Sequence, residues 1–68
     1  MKQVITILKN EFDEYEVPTS FVFHNRREVV AEIYYTDDKA DAISTCLFEH
    51  GDVMFKFRSG TFNKGENA

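Results

Sequence analysis

Residues 36–51, Thr-Asp-Asp-Lys-Ala-Asp-Ala-Ile-Ser-Thr-Cys-Leu-Phe-Glu-His-Gly, decide the fold. They read as a helix with both ends marked. Thr36 or Asp37 can cap the start, and the carboxylates of Asp37, Asp38 and Asp41 suit the positive end of the helix dipole. His50 falls in the last turn, and Gly51 can take the left-handed conformation that stops a helix. Ala40, Ile43, Cys46, Leu47 and His50 share one face at three- and four-residue spacing. That face needs an apolar floor, and β-patterned segments lie on both sides of it.

Downstream, residues 52–57 read as a strand. Val53, Phe55 and Phe57 alternate with Met54, Lys56 and Arg58, and Ser59-Gly60 ends the run. Upstream, residues 19–35 read as a hairpin. A three-residue loop at 25–27 pairs His24 with Glu28 and Phe23 with Val29. Phe21, Phe23, Val29, Ala31, Ile33 and Tyr35 then line one face. Val22, His24, Glu28, Val30, Glu32 and Tyr34 line the other. A two-residue loop at Asn25-Arg26 would set Phe23 beside Glu28 and scatter the apolar set, so the longer loop is expected. Residues 25–28 also fit a helical capping box, with Val29, Val30, Ile33 and Tyr34 on one helical face. The β-branched residues and tyrosines of 26–35 favour strand.

Residues 2–9 form a β-rich run that is apolar on both faces, with Val4, Thr6 and Leu8 opposite Ile5 and Ile7. Such a strand lies inside a sheet, or its second face meets another subunit. Residues 10–16 are acidic: Glu11, Asp13, Glu14 and Glu16 interleave with Phe12 and Tyr15. This stretch is a mobile connection or a hairpin end, and Pro18 belongs at a strand edge or start. The expected fold is small α+β. One helix over about 37–50 packs on one face of a three- to four-stranded, mostly antiparallel sheet, in the order β(β)ββαβ. Residues 1–62 form a single domain and 63–68 a flexible polar tail.

The chain has 68 residues, a formal charge of -4 and ten aromatic residues, seven of them Phe. A core this small rarely supplies more than about 3–5 kcal/mol, and such chains often lean on disulfides, metals or self-association. Cys46 is the only cysteine, so no internal disulfide forms, and a lone thiol fits a reducing cytoplasm. The opening apolar run is too short for a signal peptide and far too short to span a bilayer. The acidic balance weighs against a dedicated nucleic-acid binder.

Catalytic parts are missing from the sequence, and no cofactor motif is present, so the expected role is non-enzymatic. Cys46 and His50 stand four apart on one helical face, a spacing that can hold a metal with His24 or a carboxylate. Packing of the thiol and a favourable helix-end histidine explain the pair more simply. Phe55-Lys-Phe-Arg58, with Lys64, resembles in local chemistry a strand that stacks bases and holds phosphates. Alternation, however, sets Phe55 and Phe57 opposite Lys56 and Arg58.

Phe48 lies about 140° around the wheel from Ile43, on the outward side. Either the 10–18 connection covers it or it anchors a partner. The second sheet face keeps Val22, Val30, Tyr34 and Met54, with Val4 and Leu8 or Ile5 and Ile7, and such an apolar patch marks a contact surface. The acidic stretch Glu11, Phe12, Asp13, Glu14, Tyr15 and Glu16 could dock on a basic site, or simply be a solvated loop. The leading expectation is a cytoplasmic interaction protein that binds a larger protein or pairs with itself through the second face. A stand-alone chain of this size suits a regulator or inhibitor, including those carried by bacteriophages. The alternative is a single-stranded nucleic-acid binder using Lys56, Arg58 and Lys64.

Overall fold

A computed structural model describes residues 3–62. Residues 1, 2 and 63–68, including Lys64 and the expected tail, lie outside the described residues. The chain runs β1 (Val4–Lys9), β2 (Tyr15–His24), β3 (Arg27–Thr36), α1 (Lys39–His50) and β4 (Met54–Ser59). The strands form one sheet in the order β3-β2-β1-β4. It is the expected small α+β fold, with residues 27–36 as strand rather than helix. The optional short strand is the first part of a continuous ten-residue β2.

β2 pairs antiparallel with β1 and β3, so β3 and β1 run the same way. Helix α1 then carries the chain back across one face, and β4 enters parallel to β1 at the far edge. Ile5, Ile7, Val17, Ala42 and Cys46 form the buried core under the helix, flanked by Tyr15, Phe21, Val53, Phe55 and Phe57. The Phe57 ring meets Tyr15 and Phe55 edge to face, with centroids 5.6 and 6.0 Å apart. Lys39 stands over the Phe57 ring at 4.8 Å.

Three expectations need correction. First, the hairpin turns through two residues, Asn25 and Arg26, not three. Both take positive φ, 53° and 67°. Two successive left-handed residues give a turn whose twist matches the flanking strands, and that outweighs face segregation. The register pairs His24 with Arg27 and Phe23 with Glu28. Phe23, beside Glu28 at the hairpin end, is 77% exposed. Val30, Glu32 and Tyr34 therefore lie on the helix side, and Val29, Ala31, Ile33 and Tyr35 on the outer side with Val4, Leu8, Val22 and Met54.

Second, Asp38 is the N-cap. Its carboxylate accepts from the Ala40 and Asp41 amides, while the Thr36 hydroxyl accepts from the Asp38 amide at 3.2 Å. Gly51 ends the helix as expected, with φ 76° and its amide donating to the Leu47 carbonyl. Third, the buried stripe of α1 turns toward Ala42 and Cys46, leaving Ala40 and Leu47 exposed. His50 fixes this setting. Its Nε2 donates to the Pro18 carbonyl oxygen at 2.6 Å, and its ring lies 5.6 Å from Phe21.

Candidate protein-interaction surface

Along α1, Asp41, Thr45, Phe48 and Glu49 recur at helical spacing and flank the buried stripe of Ala42 and Cys46, on the β3 side. Along β3, Glu32 and Tyr34 alternate onto the same side. The Tyr34 hydroxyl donates to Asp41 Oδ2 at 2.7 Å, tying the strand to the helix near one end. That bond, together with the charge of Asp41, raises the Tyr34 phenol above its ordinary range. Beyond it opens a groove of about 670 Å³ between strand and helix, lined by Glu32, Tyr34, Thr45, Phe48 and Glu49, with Thr19 and Ser20 at its floor. Thr19 and Ser20 coincide with a local irregularity in the β2–β3 register. Phe48 is 85% exposed, so the 10–18 connection does not cover it. Glu32, Thr45 and Glu49 were not expected as site residues; the spacing of Asp41, Thr45, Phe48 and Glu49 on the wheel was the signal for the helical pair, and alternation with Tyr34 on β3 the signal for Glu32.

The acidic stretch divides. Residues 10–14 form a compact turn rather than a mobile connection. The Asn10 side chain accepts from the amides of Phe12 and Glu14, and Asp13 takes φ 62°. Glu11, Phe12 and Asp13 stand out from the tip, whereas Glu14 is half-buried. Tyr15 and Glu16 belong to β2. Tyr15 packs on Phe57. Glu16 is 2% exposed and cannot meet a partner. Its carboxylate accepts from Asn10 Nδ2 at 2.9 Å, the Thr61 hydroxyl at 2.6 Å and the Phe62 amide at 2.8 Å. The buried carboxylate thus holds the 60–62 segment against the outer face beside Leu8.

Elsewhere on the outer face Val4, Val22, Tyr35 and Met54 are exposed, while Val29, Ala31 and Ile33 are half-buried and Pro18 is buried. Val30 and Tyr34, expected here, are on the other side of the sheet. On β4, Lys56 and Arg58 are exposed while Phe55 and Phe57 pack on the core, so this strand does not place aromatics and cations on one surface. Cys46 is wholly buried, and burial pushes its thiol up. Among the described residues no three His, Cys, Asp or Glu side chains gather as a metal site, and His50 already bonds Pro18. No described helix is long and apolar enough to cross a membrane. Comparison with protein-family models, with curated proteins and with solved structures yields no match.

Proposed function

We propose that this chain is a non-enzymatic protein-interaction module, a regulator or inhibitor that docks on a larger cytoplasmic protein. The observation that carries this reading is Phe48. A phenylalanine is 85% exposed on the rim of a groove that also holds Tyr34 and two carboxylates. Among the described residues nothing covers it, and aromatic side chains, Phe included, are enriched at protein interfaces. The acidic character of the groove suits a basic partner surface and fast encounter with it. Bacteriophage-borne inhibitors are one setting in which such small modules act.

Self-pairing through the outer face is a second part of the proposal, supported by the exposed Val4, Val22, Tyr35 and Met54. Affinity capture from the native host, with wild-type and Phe48→Ala proteins as bait, tests the main reading. A protein retained by wild type and lost from Phe48→Ala is expected. Identical capture by both baits, or none by either, contradicts it. Sedimentation across a concentration series tests the pairing, and a strict monomer at high concentration removes that part.

A further inference from the structure

We infer that an extended, cationic segment of the partner adds as a fifth strand on the outer edge of β3, with its side chains on the helix side reaching toward the groove between α1 and β3. This rests on the interaction reading above and specifies its partner. Three observations converge on it.

The first is the strand. β3 is ten residues long, lies at the edge of the sheet, and has β2 as its only strand partner among the described residues. Its outer row of backbone N–H and C=O groups is a template for strand addition. Edge strands are commonly blunted with lysine, proline or a covering element. β3, Arg-Glu-Val-Val-Ala-Glu-Ile-Tyr-Tyr-Thr, carries neither lysine nor proline; its charges are Arg27 and Glu28 beside the hairpin turn and Glu32, which leaves residues 33–36 uncharged, and α1 lies chiefly over β2. The other edge, β4, has six residues and carries Lys56 and Arg58.

The second is shape. Phe48 on the helix and Tyr34 on the strand stand on the same side of the sheet as the groove, so alternate side chains of an added strand would meet aromatic walls. The third is charge. Glu32 and Glu49 line the groove, Asp41 lies beside it, and no lysine or arginine lines it among the described residues. A second copy of this chain would bring its own Glu28, Glu32 and Glu49 to the same strip, so like charges oppose self-pairing at this edge. A segment in which Lys or Arg alternates with β-branched or aromatic residues satisfies the edge, the walls and the carboxylates together.

A phage-displayed library of random decapeptides, panned on the intact protein, tests this without knowledge of the partner. Enrichment of proline-poor peptides with alternating cations is expected. A synthetic peptide of the most enriched sequence should slow amide exchange across residues 28–36. The Glu32→Gln/Glu49→Gln double variant should bind it about fivefold more weakly, as two exposed ion pairs allow, and Phe48→Ala about thirtyfold more weakly. No enriched peptide, an acidic or neutral enriched set, or unchanged exchange over 28–36 overturns the inference, whether or not the variants fold. Peptides that instead protect the outer face around Val22 and Met54 overturn it too, yet leave the wider interaction reading standing.

Discussion

The two edges of the sheet are built to different ends. At the β4 edge, Phe55 and Phe57 turn inward onto Ile5, Ile7 and Val17, and cations face out. At the β3 edge no side chain joins that core, and Tyr34 and Tyr35 stand exposed, although neither edge strand has a fully buried residue. The same helix and the same sheet thus yield one edge committed to stability and one left available. A chain of this size has little stability to spare, so the division confines the open surface to a strand with no side chain in the central core.

Substitutions on the two sides should have opposite signatures. The largest loss is expected on the packed side. Ile7→Ala should cost about 2–5 kcal/mol, as buried Ile to Ala commonly does, and chemical denaturation should find the variant largely unfolded. Glu16→Ala comes next. It leaves the Asn10 amide, the Thr61 hydroxyl and the Phe62 amide without their acceptor, at about 1–3 kcal/mol. Its unfolding midpoint should fall, and exchange at Thr61 and Phe62 should quicken before the core yields. On the open side, Phe48→Ala should move the midpoint by less than about 0.5 kcal/mol while abolishing partner capture. A large stability loss there would make Phe48 a packing residue and erase the contrast.

The smallest effect concerns the Tyr34–Asp41 bond. The folded protein raises the Tyr34 phenol above its ordinary value of about 10. Its contribution is therefore fully present below that value and is lost as pH rises through the higher folded one. Ultraviolet titration should find a tyrosine step above the ordinary range, and Tyr34→Phe should remove it. A titration curve whose late part is unchanged in Tyr34→Phe would contradict the bond.

Much of the packed side was legible in the sequence because it follows from periodicity. Alternation sent Phe55 and Phe57 inward, Gly51 marked the helix end, and the wheel turned Phe48 outward. The hairpin register was not legible, because it turns on whether Asn25 and Arg26 both adopt positive φ, which apolar patterning does not report. One residue of slip moved Val30 and Tyr34 to the helix side and created the groove. Glu16 was misread for a related reason. A carboxylate within an acidic run reads as solvated, and its partners Thr61 and Phe62 lie 45 and 46 residues away.

Residue-resolved amide exchange, measured on the free protein and again with its captured partner bound, separates the two edges. Ile5 and Ile7 should exchange only through global unfolding, and outward amides of β3 should exchange rapidly in the free chain and slow markedly in the complex. A β3 edge as protected as β1 in the free protein, or one unchanged by the partner, would contradict this division.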